Sequence, residues 1–178
     1  MTQPSDAKAT TEGLDIYAVL AEHGIAYERY DHVPVFTCDE AERAMPQTDA
    51  AHTKNLFLRD KKGLRHWLLV TLCEKAVDLK QVAERIGADK LSLGSPERLA
   101  THLGVTPGAV TILALAHDRS HAVELLVDED VWRASAVRAH PLVNTATLVV
   151  AQSDLRRFLD YTGHVARVIP VVNRPRGG

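Results

Sequence analysis

The chain of 178 residues has little of several things, and each shortage narrows what it can be. No stretch approaches 18 consecutive apolar residues, so no segment reads as a membrane span. There are two cysteines, Cys38 and Cys73, with no CxxC spacing and no neighbouring ligand pattern. A disulfide framework is therefore not expected, which fits a reducing compartment. Aromatic residues are 5% of the chain, too few for a platform of many stacked bases. Neither sign of charge dominates: 21 lysines and arginines face 23 acids, a net of −2, unlike a protein that coats phosphate backbones. The opening MTQPSDAKATTEG lacks the apolar core of a signal peptide, so a cytoplasmic location is expected. There is no Walker loop, no GxGxxG and no GxSxG elbow, and none of the nine histidines shows HxH or HExxH spacing. No metal and no cofactor are expected. A hydrolase built from this inventory would activate water without a covalent intermediate.

What is present is an ordinary globular composition, 46% apolar and 25% charged. A chain of this length buries roughly 70% of its unfolded surface and needs no staples. One feature is uneven. Residues 133–178 carry seven arginines and two acids, a net of +5, while the rest of the chain is acidic. Such a split marks a face for an anionic partner, or averages out if the segments interleave.

Periodicity and punctuation predict a helix over 14–22 stopped by Gly24, and an edge strand over 25–30. Thr37 with Glu40 forms a capping box for a helix through Ala44. TKNLFLR (53–59) and HWLLVTL (66–72) flank DKKG as a hairpin. Asp78 opens a helix stopped by Gly87, and Ser95-Pro96 opens another ending at Leu103. Strands are expected over 91–93, 110–116, 122–127, 136–140, 145–151 and 166–172, with a helical turn over 128–134 and a helix from Ser153 to Gly163. This order is not a regular βαβ alternation. It implies a single α/β domain over 14–172, with a mixed, mostly antiparallel β-sheet and packed helices, between loose tails at 1–13 and 173–178.

Four features carry possible chemistry. Cys38 lies near a predicted helix start, where a thiol pKa can fall, though a small packing residue is the plainer reading. Lys54 precedes the apolar NLFL; it is either a snorkelling surface residue or a fixed positive charge for a phosphate or carbonyl. Gly104-Val-Thr106-Pro107-Gly108 is a rigid loop whose backbone N–H groups could hold an oxyanion, although many connectors look alike. His140-Pro141-Leu-Val-Asn144-Thr-Ala-Thr147 puts a histidine and an asparagine between strands, where Asn144 could equally form a turn.

Together these stretches resemble a known family. PVFTCDEAERA (34–44), HTKNLFLRDKKG (52–63), LGVTPGAVTILAL (103–115), HPLVNTATLVV (140–150) and DLRRFLDYTGH (154–164) resemble, in order, the YbaK-like and ProX-like prolyl-tRNA editing domain proteins. These are freestanding aminoacyl-tRNA deacylases, and the texts look closest to the branch that clears alanine from proline tRNA. The resemblance implies the editing-domain fold and makes Lys54 the characteristic lysine of the site. It gives catalytic places to the loop of Gly104, Thr106, Pro107 and Gly108. It gives substrate-binding places to Val35, Phe36, Thr37, Asn55, His140 and Asn144. It implies the tRNA acceptor 3′ end as partner, with prolyl-tRNA synthetase as a further partner to test; the net positive charge of residues 133–178 is then expected to steer the acceptor stem toward the site near His140. After Gly108 the chain departs from the family text, with Ala109 in place of serine and Ile112 in place of proline. Two other functions stay open: a deacylase for serine, threonine, cysteine or 2-aminobutyrate on tRNA, and a non-catalytic module that binds tRNA or a synthetase.

Overall fold

The computed structural model describes residues 10–11 and 13–174; of the expected tails, residues 1–9, 12 and 175–178 lie outside the described residues. In chain order the elements are β1 (Thr10–Thr11), β2 (Leu14–Asp15), α1 (Ile16–Glu22), β3 (Glu28–Asp31), α2 (Cys38–Ala44), β4 (Thr53–Arg59), β5 (His66–Leu72), α3 (Leu79–Ile86), β6 (Ser92–Leu93), α4 (Pro96–Leu103), a 3-10 turn (Ile112–Ala116), β7 (Val123–Asp128), α5 (Glu129–Arg133), β8 (Ala136–Ala139), β9 (Ala146–Ala151), α6 (Gln152–Thr162) and β10 (Ala166–Ile169).

Local chemistry sets most of these boundaries. The Thr37 hydroxyl accepts from the Glu40 N–H while the Glu40 carboxylate accepts from the Thr37 N–H, the expected capping box. The Asp78 carboxylate caps α3, and the Ser95 hydroxyl caps α4 behind Pro96. In the hairpin, the Asp60 carboxylate accepts from the N–H groups of Leu64 (2.8 Å) and Arg65 (3.1 Å), fixing the turn.

Apart from the short antiparallel pair β1-β2, the strands form a five-stranded sheet in the order β10-β7-β5-β4-β6 and a three-stranded sheet in the order β3-β9-β8. Pairings of β7 with β5 and with β10 are parallel; the others in both sheets are antiparallel. Strand β5 is central and covered on both faces, which is why it reads as a nearly unbroken apolar run. Its Trp67 and Leu69 face α3 through Val82, Ala83 and Ile86, while Leu68 and Val70 join the larger core with Leu103, Leu113 and Phe158. Burying each such side chain is worth about 1.5–3 kcal/mol.

Two expectations are overturned. Residues 110–116 do not form a strand; the Thr111 hydroxyl caps a 3-10 turn in which all five residues from Ile112 to Ala116 are buried. A short apolar run has no period to separate strand from buried turn, and enclosure on every side decided it. Cys38 and Cys73 are joined by a disulfide, with Cα atoms 5.9 Å apart across 35 residues of sequence. No local spacing announces this pair, because the start of α2 and the end of β5 meet only through tertiary structure. Closing a loop of that size removes about 3–4 kcal/mol of entropy from the unfolded chain.

Candidate active site

The two sheets meet at the start of β4. The Ala51 N–H donates to Ala136 O (2.8 Å), the Arg138 N–H donates to Ala51 O (3.1 Å), and the Thr53 hydroxyl donates to Arg138 O (2.8 Å). This seam brings Lys54 and Asn55 beside His140, which follows β8. A cleft of about 280 Å³ opens there, walled by Val35, Phe36, Thr37, Lys54, Asn55, Gly108 and His140 among others. A recess of about 30 Å³ shares Ala41, His52, Thr53, Asn55 and His140 with the cleft and is completed by residues that include Met45, Arg138 and Thr147.

Lys54 is half-buried in the cleft wall, and its Nζ donates to the Lys75 carbonyl oxygen. Burial pushes its pKa below the ordinary 10.5, because the charged form loses water. The carbonyl holds the ammonium in place without neutralising it, so it stays available to an oxygen carrying negative charge. His140 Nδ1 donates to Ala146 O at 2.9 Å, which leaves Nε2 as an acceptor. Burial, with a small push from His32, outweighs that hydrogen bond and lowers its pKa below 6.5, so the ring is neutral at pH 7. The buried Asn55 Oδ1 has no hydrogen-bond partner among the described residues. A buried acceptor left bare costs about 1–3 kcal/mol, and a ligand donor would recover it.

Gly108 is the residue of the 104–108 loop that lines the cleft. Its φ of +90° favours glycine, and an added Cβ would sit 3.0 Å from the Phe36 ring. The Ala109 N–H is already committed to Thr106 O at 3.0 Å. Gly104 caps α4 in the left-handed conformation and abuts the His117 ring, so it belongs to the packing behind the loop. Thr106 and Pro107 are not among the cleft's lining residues. Asn144 is not either; its Nδ2 donates to Val35 O at 3.0 Å and holds the cleft edge in place.

Several participants carried no signal in the sequence. The Lys75 ammonium sits between Asp128 (2.8 Å) and Asp130 (2.6 Å), and Asp128 also accepts from the Thr71 hydroxyl at 2.7 Å. Burial opposes the charge on Lys75, but the hydrogen bonds to both acids outweigh it and raise the pKa. This network fixes the residue whose carbonyl holds Lys54. Glu42 bridges His52 Nδ1 (3.0 Å) and Arg138 Nη1 (2.7 Å) over the recess. Burial first, then the Arg138 charge, lowers the His52 pKa, and Glu42 only partly offsets them. Arg138, Arg133 and Arg157 pair with Glu42, Glu129 and Asp154, so part of the arginine excess is neutralised within the fold. Among the described residues, the cluster of possible metal donors is Cys38, His52 and Cys73, and its two sulfurs are joined to each other.

These features match an editing-type domain. The family model described as the aminoacyl-tRNA editing domain matches residues 32–158, and the chain belongs to that family. It is 36% identical over 154 residues to the prolyl-tRNA editing protein ProX of Acetoanaerobium sticklandii, covering 86% of this chain and 94% of that protein. It is 33% identical over 141 residues to the prolyl-tRNA synthetase associated domain-containing protein 1 of Danio rerio, covering 78% of this chain and 76% of that protein. A solved structure described as a candidate trans-editing enzyme for prolyl tRNA synthetase shares the fold at a TM-score of 0.64 and 19% identity, covering 89% of this chain and 95% of that one. No helix among the described residues is long and apolar enough to cross a membrane.

Proposed function

We propose that this editing domain, spanning residues 14–172, hydrolyses alanine from mischarged proline tRNA in trans, with prolyl-tRNA synthetase as a functional partner. The observation that carries the choice of amino acid is the small recess of about 30 Å³ beside the cleft, which favours a methyl-sized side chain over a larger one. A synthetase pocket shaped for proline discriminates against a smaller side chain by only about 1–3 kcal/mol per methylene, so a second, smaller sieve is chemically useful.

In this reading the terminal ribose ester lies in the cleft and the alanyl methyl enters the recess. The Asn55 Oδ1 accepts from the substrate's α-ammonium, which satisfies the bare acceptor. Water attacks the ester carbon, and the charge on the carbonyl oxygen is held by the Lys54 ammonium and the Gly108 N–H. The vicinal ribose hydroxyl orients the water and the ribose oxygen leaves with a proton, so the already activated ester needs no covalent intermediate.

The test is deacylation of Ala-tRNA(Pro) against Pro-tRNA(Pro), with Lys54→Ala as control. We expect preference for the alanyl ester and a loss of about 10²–10³-fold in the variant, the usual effect of removing one oxyanion-stabilising donor. Undiminished activity in the variant sinks the assignment of Lys54, and failure to hydrolyse any mischarged tRNA leaves a binding module instead. A second reading has its own support: Arg138 Nε is buried without a partner among the described residues and lies at the recess. A seryl hydroxyl would satisfy it, and Ser-tRNA belongs in the same assay.

A further inference from the structure

The Cys38–Cys73 bond lies in the wall of the cleft, with both residues half-buried. It joins the first residue of α2 to the segment just after β5. Helix α2 buries none of its own residues, so packing contributes little to its position. Its other ties are the Glu42 bridges to His52 and Arg138, and the buried Met45 at its end. Ala41, which lines both the cleft and the recess, lies three residues after Cys38 and therefore on the same face of the helix. The placement of that recess wall is thus coupled to the disulfide. Cysteine pairs of this kind, partly exposed at a functional site, are more often redox-sensing than structural where thiols are otherwise kept reduced.

We propose that Cys38 and Cys73 form a reversible thiol–disulfide site, oxidised by a low-molecular-weight disulfide, which sets the position of α2 and so the size limit of the recess; the size limit rests on the deacylase reading above. A ring nitrogen of His52 lies within 4.8 Å of both sulfurs and is placed to take a thiol proton. The thiolate attacks one sulfur of the small disulfide, forming a mixed disulfide and expelling one thiolate. The second cysteine, as thiolate, displaces the other. One S–S bond and two S–H bonds break, one S–S bond forms in the protein, and the two protons leave on two small thiols. With the bond closed, Ala41 is held over the recess and only a methyl-sized side chain fits. With it open, α2 shifts more freely and larger side chains enter.

The experiment compares the full chain reduced with dithiothreitol and reoxidised with oxidised glutathione. Titration in denaturant should find two free thiols in the first and none in the second. Amide exchange over 38–44 should be about tenfold faster in the reduced form, as expected when a local tether is lost. The ratio of kcat/KM for alanyl over 2-aminobutyryl tRNA should fall about tenfold on reduction, the scale of one methylene. Cys38→Ser and Cys73→Ser should each behave as the reduced form under both conditions. Failure of oxidised glutathione to close the bond, equal exchange in the two forms, or an unchanged substrate ratio overturns the proposal. If neither form hydrolyses any ester, the deacylase reading fails, and exchange over 38–44 alone decides whether the pair moves the helix.

Discussion

Strand β4 has two halves with opposite character. Phe57 and Leu58 are buried among apolar neighbours on the two faces of the sheet, whereas Thr53, Lys54 and Asn55 bring polar groups to the wall of an open cleft. The same backbone ladder with β5 runs through both. The difference lies in what faces them: α3, α4 and the core cover the C-terminal half, while the N-terminal half meets the seam with β8. One half stabilises by excluding water; the other keeps buried polar groups poised at a cost.

The comparison can be broken most severely from the apolar side. Trp67 is fully buried. Trp67→Ala should cost about 3–5 kcal/mol and lower Tm by roughly 10 °C or more, read by calorimetry. A small shift would mean that the apolar half is less decisive than its burial implies. On the polar side, Asp128→Ala removes the fully buried partner of Lys75 and frees the Thr71 hydroxyl. It should cost about 3 kcal/mol. It should also reduce deacylation more than a mutant of equal instability elsewhere, because the carbonyl that holds Lys54 is released. Equal activity loss in the two stability-matched variants would reduce the network to scaffolding.

The smallest effect is pH-dependent. Burial holds the pKa values of His140 and His52 below 6.5 in the folded state. Above 6.5 both states are neutral at these positions and stability is at its full value. As pH falls below 6.5 the unfolded chain takes up protons that the folded rings refuse, so stability declines until the folded pKa values are passed. His140→Gln should flatten the decline of Tm between pH 7 and pH 5, and an identical decline would place the effect elsewhere.

Legibility in the sequence followed the same division. The capping box at Thr37 and Glu40 and the full extents of β4 and β5 were readable, because each depends on neighbours within a few residues. The apolar ILALA run was not, since its turn is imposed by enclosure. At the site, Lys54, Asn55, Gly108 and His140, singled out in separate stretches of sequence, line one cleft. Gly104, Thr106 and Pro107 share a text with Gly108 but do not line the cleft: Gly104 is buried against His117, and Thr106 and Pro107 are exposed, because a motif records a loop and not which residue of the loop faces the cavity. Lys75, Asp128 and the Cys38–Cys73 bond left no trace, since each depends on partners dozens of residues away.

The seam has a consequence for when the protein becomes competent. Lys54 is made early, but the strand that faces it is β8, and β8 is secured by β9, whose last residue is Ala151. The parallel pairing of β5 with β7 also spans a gap of nearly 60 residues, and closing such a gap is slow. During synthesis the hairpin of β4 and β5 can form while the cleft does not yet exist. Lys54 therefore waits, solvated and unpositioned, until some five-sixths of the chain has emerged, and a stalled or truncated product carries the lysine without the pocket.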